Sequence, residues 1–167
     1  MTRRQWLSLL SSLGLSTAAA SYAQSTAADP KSTRPRIEPL LLTDAQWRQR
    51  LTPEQYHVLR EEGTERPGSS ALNQEKRTGT YHCVGCQLPL FTSNTKYESG
   101  TGWPSFFAVL PGAVQTKRDF KSLFVAIEYH CARCGGHHGH VFNDGPKPTG
   151  QRYCNNGVAL KFVPAAA

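Results

Sequence analysis

The spacing of apolar positions along the chain changes character at Gly79. Ahead of it, Thr43-Asp44-Ala45-Gln46 and Thr52-Pro53-Glu54-Gln55 each carry a helix-start signature. In such a capping box the Thr hydroxyl accepts from the backbone three residues on, while the Gln side chain reaches back. Pro53 suits a first helical position and Gly63 a stop, so two short helices are predicted. Beyond Gly79, period two takes over. Leu123, Val125, Ile127 and Tyr129 alternate with Phe124, Ala126, Glu128 and His130, which reads as a strand with apolar residues on both faces. His140 to Phe142, Arg152 to Asn155 and Val158 to Val163 are further strand candidates. Between them, Asn143-Asp144-Gly145-Pro146 and Pro148-Thr149-Gly150 are strong turn signals. The pattern predicts a mainly β domain with a short N-terminal helical segment.

Residues 1–23 follow a different logic. They contain no acid, and Arg3 and Arg4 precede a mildly apolar stretch from Trp6 to Ala20, followed by Ser21-Tyr22-Ala23. A charged start, a short apolar run and small residues before a cut make a secretory signal peptide. The run is too short and too rich in Ser and Gly for a membrane span, so none is expected after cleavage. Thr2-Arg3-Arg4-Gln5-Trp6-Leu7 resembles a bacterial twin-arginine signal, with Trp6 in place of the common Phe and Ser8 in place of the common Lys. The expected location is therefore the periplasm. The alternative is an N-terminal amphipathic helix. Residues 24–38 have no periodic apolar positions and are expected to form a flexible linker. Residues 39–164, about 125 in number, suffice for one hydrophobic core, and residues 165–167 form a tail.

Composition adds exclusions. Of 167 residues, 38% are hydrophobic and only 19% charged, which excludes a highly charged disordered chain. Nineteen Lys and Arg against twelve Asp and Glu give +7, a surplus that suits soluble enzymes as well as nucleic-acid binders.

The five cysteines are more specific. Cys83, Cys86, Cys131 and Cys134 form two Cys-x-x-Cys pairs with 44 residues between the inner members. Two such knuckles complete a tetrahedron of thiolates and leave no open position for water, which points to one structural zinc ion per chain. A disulfide framework and a thioredoxin-like redox pair are the alternatives, the latter lacking a βαβ context. A second partition would take Cys131, Cys134, His137 and His140 as ligands, at the expense of orphaning Cys83 and Cys86.

Cys154 is left over. On a strand, Arg152, Cys154 and Asn156 would share one face. A guanidinium beside the sulfur favours thiolate, which is the nucleophile. His137, His138 and His140 offer imidazoles nearby in sequence, although spacing alone does not bring them to Cys154.

Together these segments resemble the B-type methionine sulfoxide reductases, which reduce the R epimer at sulfur. The resemblance runs through Thr52-Pro53-Glu54-Gln55-Tyr56, Glu62-Gly63-Thr64-Glu65-Arg66-Pro67, Cys83-Val84-Gly85-Cys86 and Pro89-Leu90-Phe91. It continues in Ser99-Gly100-Thr101-Gly102-Trp103-Pro104-Ser105-Phe106, Gly139-His140-Val141-Phe142, Asp144-Gly145-Pro146 and Arg152-Tyr153-Cys154-Asn155-Asn156. It implies two antiparallel sheets, with the zinc site remote from the active site. It implies Cys154 as the residue attacking the sulfoxide sulfur, and His137, His140 and Asn156 as the groups that hold and protonate the departing oxygen. Arg152 would stabilise the thiolate and Trp103 would receive the substrate methyl group. Tyr153 is expected in the core.

Two positions depart from the family pattern. His138 stands where a leucine is usual and is expected at the surface or rim. Thr101 stands where many members carry a resolving cysteine, so a thioredoxin-like or small-thiol reductant is expected to regenerate Cys154. Free or protein-bound methionine-(R)-sulfoxide is the expected substrate, nucleic acid is not an expected partner, and a monomer is expected. The competing readings are a zinc-stabilised, non-catalytic binding module and a zinc hydrolase. A four-thiolate ion closes off the position the hydrolase would need.

Overall fold

In the computed structural model, the described residues are 37–119 and 126–166. The signal-peptide and linker expectations, up to residue 36, lie outside them, as do Leu123 to Val125 of the alternating strand. Both capping boxes form. Helix α1 spans Asp44–Arg50 behind Thr43, and α2 spans Pro53–Glu61 behind Thr52, with the Gln side chain returned to the cap backbone in each. The stop of α2 differs from expectation. Glu62 takes the left-handed conformation at φ 58°, not Gly63. Gly63 is needed for space instead: a Cβ there would lie 2.2 Å from the His57 ring. No helix among the described residues is long and apolar enough to cross a membrane.

Among the described residues nine strands follow: β1 Gly79–Cys83, β2 Pro89–Thr92, β3 Lys96–Tyr97, β4 Ser105–Phe106, β5 Val114–Asp119, β6 Ala126–Cys131, β7 His137–Phe142, β8 Arg152–Asn155 and β9 Leu160–Pro164. They form two antiparallel sheets, ordered β2-β1-β9 and β3-β4-β8-β7-β6-β5. The fold is thus mainly β with two antiparallel sheets and a short helical preface. Strand β8 has the predicted bounds, and β7 begins three residues earlier than expected. The predicted strand from Val158 instead opens with a 3-10 turn, Gly157–Ala159, and becomes extended at Leu160.

Aromatic rings join the sheets. Phe91 of β2 stacks on Phe106 of β4 with centroids 4.2 Å apart, and meets Tyr129 of β6 and Tyr153 of β8 edge-on or tilted. Tyr81 of β1 packs edge-on against Phe106. Large rings filling the gap between sheets bury extensive apolar surface, and offset or edge geometries add to it. Tyr153 lies in this core, as expected.

Candidate active site

The large sheet positions Cys154 in its middle. Strand β8 runs between β4 and β7, and Cys154 is opposite Ser105 on one side and His140 on the other. The approach of β7 demands a glycine: a Cβ on Gly139, at φ 154°, would lie 2.0 Å from the Cys154 carbonyl oxygen. The half-buried thiol of Cys154 opens into a pocket of about 170 Å³ lined by Thr64, Trp103, His140, Phe142 and Asn156, among others.

Trp103 is fixed at the pocket wall by its indole N–H, which donates to the Glu65 carbonyl at 3.1 Å. His140 faces the pocket, and its Nε2–H donates to Asp119 at 2.9 Å. The His137 ring lies 5.6 Å from the His140 ring but lines a separate cavity of about 300 Å³ with Lys117, Glu128 and His130. There its Nδ1–H donates to Glu128 at 2.8 Å. Each carboxylate fixes the tautomer of its imidazole, leaving the second ring nitrogen free of that hydrogen. Burial holds His137 below the usual imidazole range, with the Glu128 bond pulling the other way.

Asn156 is in the pocket but not on the strand. Strand β8 stops at Asn155, and the Asn156 amide is committed to the backbone. Its Nδ2–H donates to the His138 carbonyl at 2.9 Å, and its Oδ1 accepts from the Glu65 N–H at 2.9 Å. It thereby fixes the pocket wall. His138 is a correction: it is 0% exposed, not at the surface. The register shift between Tyr129 and His130, with Gly139, turns its ring inward to stack parallel to Tyr129, and its Nδ1–H donates to Asn155 at 3.2 Å. Burial pushes its pKa down to about 4.

Around the sulfur, charges oppose burial. The Arg152 guanidinium is held by two bonds to Asp144, at 2.8 and 2.7 Å, and lies over the Phe142 ring. Burial raises the Cys154 thiol above its ordinary value; the Thr101 hydroxyl, 4.0 Å away, and Arg152 pull it back. The net direction is upward. Arg152 favours the thiolate, as its charge led one to expect, but desolvation of the charged form is the larger effect.

Where β1 ends at Cys83 and β6 at Cys131, the sulfurs of Cys83, Cys86, Cys131 and Cys134 lie within 4.8 Å of one another and are all buried. Sγ of Cys83 is 3.7 Å from Cys134, and Sγ of Cys86 is 3.4 Å from Cys131. A tetrahedral ion with metal–sulfur bonds of about 2.3 Å would set sulfurs about 3.8 Å apart, so the four cysteines are positioned to bind a metal ion. The partition through His137 and His140 is excluded because Cys131 and Cys134 cluster with Cys83 and Cys86 and not with either imidazole.

The sequence matches the SelR domain model over residues 51–164. The chain belongs to the SelR-domain family. Curated members include "Peptide methionine sulfoxide reductase MsrB" of Agrobacterium fabrum, 54% identical over 73% of this chain and 91% of that one. Proteins of the same name from Pseudomonas putida and Methanosarcina barkeri are each 54% identical, over 71% and 72% of this chain and 90% and 85% of theirs. Five residues that build this SelR site carry little local signal: Glu65, Lys117, Asp119, Glu128 and Asp144. Each acts through a partner distant in sequence or across a turn, and only Glu65, Glu128 and Asp144 fell within segments the sequence singled out, none with a role in the site.

Proposed function

We propose that this chain reduces methionine-(R)-sulfoxide to methionine, with Cys154 as nucleophile. The observation that carries this reading is the single thiol outside the metal cluster, opening into a pocket walled by Trp103 and His140. The indole face receives the substrate methyl group. The Cys154 thiolate attacks the sulfoxide sulfur. The oxygen gains negative charge as its bond to that sulfur weakens, and takes up a proton within reach of His140, with His137 behind it. Thiolate, sulfoxide and one proton become a cysteine sulfenic acid and methionine: the cysteine sulfur is oxidised by two electrons and the substrate sulfur reduced by two. Arg152 stabilises the attacking thiolate, and Asn156 holds the wall.

An external thiol, thioredoxin-like or small, then condenses with the sulfenic acid to give a mixed disulfide and water. A second thiol releases Cys154. Thr101 supports this reading, since its hydroxyl stands beside Cys154 where a second sulfur would be needed. The ion at the four cysteines is read as zinc, on the donor set. Held by thiolates, it would cross-link the two sheets and take no part in the reaction. Export to the periplasm rests on Arg3-Arg4 and the apolar run behind them, with residues 1–23 as signal, 24–38 as linker and 39–164 as the catalytic domain, acting as a monomer.

Turnover of separated R and S epimers tests the function. The wild type should reduce the R epimer alone, Cys154→Ser should reduce neither, and both should hold one zinc per chain. Retained turnover in Cys154→Ser would overturn the reading in favour of chemistry elsewhere.

A further inference from the structure

Beside the Cys154 sulfur stands a row of three hydroxyls. Ser105 is opposite Cys154 across the pairing of β4 with β8 and is 1% exposed. Ser99 and Thr101 come from the loop joining β3 to β4, which turns through left-handed glycines on either side of Thr101, Gly100 at φ 72° and Gly102 at φ 88°. Thr101 Oγ1 is 4.0 Å from the Cys154 sulfur and 2.8 Å from Ser99 Oγ, which is 2.7 Å from Ser105 Oγ. Ser105 closes the row by donating to the Trp103 carbonyl at 3.1 Å.

That fixed end sets the direction of the rest. A hydroxyl has one proton to donate. Ser105 gives its proton to Trp103, so it accepts from Ser99. Ser99 then accepts from Thr101, and Thr101 turns a lone pair toward the S–H of the resting thiol. Once Cys154 ionises, the sulfur only accepts. Thr101 then turns its proton to the sulfur and Ser99 its proton to Thr101, while the backbone N–H of Thr101, 3.5 Å from Ser99 Oγ, stays directed at that oxygen. Every hydroxyl proton keeps an acceptor in both states, and only the rotors move.

Ionisation strengthens the contact at the sulfur. A hydrogen bond to an anion is shorter and about twice as strong as one between neutral groups, so a contact that is loose against the thiol draws in on the thiolate. Hydrogen bonds in a chain polarise one another, so Ser99 donating to Thr101 makes Thr101 the better donor. Desolvation raises the Cys154 thiol, and among the groups that oppose it Thr101 comes ahead of Arg152. Threonine also has a second branch, a methyl that would fit against the sulfur in another rotamer. The bond to Ser99 decides which branch is there.

We propose that Thr101 is the hydrogen-bond donor to the Cys154 thiolate, and that Ser99, anchored on buried Ser105, is the positioning residue that keeps the hydroxyl of Thr101 and not its methyl against the sulfur. The inference rests on the sulfoxide-reductase reading and deepens it, since the attacking species there is this thiolate.

Alkylation of the free, full chain by iodoacetamide across pH tests it without substrate, with Cys154 followed by mass spectrometry of its peptide. Thr101→Val and Thr101→Ala, which lack the hydroxyl, should move the half-maximum upward by about one pH unit. They should also lower kcat/KM for methionine-(R)-sulfoxide at neutral pH by about ten-fold. Thr101→Ser, which keeps the hydroxyl, should return both quantities to their wild-type values. Ser99→Ala should move the half-maximum upward by less than Thr101→Val does. Loss of the fold acts in the other direction, down toward the ordinary 9.0, because burial is what raises the thiol. An upward move is therefore not unfolding. A half-maximum unchanged or lowered in both Thr101→Val and Thr101→Ala, or raised equally in Thr101→Ser, would overturn the donor. One unchanged in Ser99→Ala would overturn the positioning role. Half-maxima that move as expected in a protein inert on the sulfoxide would instead sink the reductase reading and leave the donor standing.

Discussion

The Glu128 carboxylate lies 2.8 Å from Nδ1 of His137, and both side chains are buried. Lys117 reaches the other Glu128 oxygen at 3.0 Å and Glu62 at 2.5 Å, so His137 is held at the end of a charged chain leading out to solvent. Glu128 raises the His137 pKa against the downward push of burial. If His137 serves as acid, activity is lost as pH rises through its pKa. Glu128→Gln should therefore move that loss to lower pH and cut kcat/KM by about ten-fold or more. A pH–rate profile of the variant checks both.

Cys154 titrates above the ordinary thiol value because burial outweighs its stabilising neighbours. In the free enzyme, the rate of alkylation by iodoacetamide should rise with pH and reach half-maximum above 9.0, the ordinary value. Arg152→Gln removes a stabilising charge and should move the midpoint higher still. Mass spectrometry of the alkylated peptide follows both.

Thr101 Oγ1 is 4.0 Å from the Cys154 sulfur. Thr101→Cys should bring a second sulfur close enough to condense with the sulfenic acid. After one turnover without reductant, the variant should contain a 101–154 disulfide, whereas the wild type should carry none between Cys154 and the metal cluster. Intact-mass measurement before and after thiol addition distinguishes them.

His138 bears on stability, not on turnover. Its pKa is pushed down to about 4 in the fold from an ordinary 6.5. The unfolded chain then binds the extra proton first, so stability is full above pH 6.5 and is lost as pH falls through about 4. The loss amounts to about 3 kcal/mol at most. His138→Leu should remove this term and unfold at lower pH than the wild type, as followed by circular dichroism.

Removal of the metal should act through the fold. With zinc at the four cysteines as proposed, Cys131→Ala should abolish binding of one zinc per chain and lower Tm by more than about 10 °C, because a four-thiolate ion contributes directly to folding. Metal analysis and a thermal melt on one preparation check the pair.

Local rules were enough for whatever local chemistry decides. Both Thr caps, the bounds of β8 and the two cysteine knuckles were legible because each depends on residues a few positions apart. His138 was placed at the surface only by default, because nothing local marks the register irregularity between Tyr129 and His130 that accompanies its burial. Asn156 was expected to help hold the departing oxygen; that both its polar atoms also serve backbone groups from segments remote in sequence was not legible. Asp119 and Glu128 were invisible as site residues for the same reason: their imidazole partners are on the neighbouring strand and across the sheet, and no pattern within one strand encodes that pairing.

Strand β9 lies beside β1, with Leu160 opposite Cys83 and Pro164 opposite Gly79. The smaller sheet is therefore left without a third member until residues well past the nucleophile have been synthesised. During translation, the half-built sheet would expose one edge of β1 to other chains, and the turn behind Asn156 would lack the strand that anchors it. A nascent enzyme stalled just after Cys154 would already hold β4 and β7, which flank the sulfur, but would lack Asn156, which fixes the pocket wall.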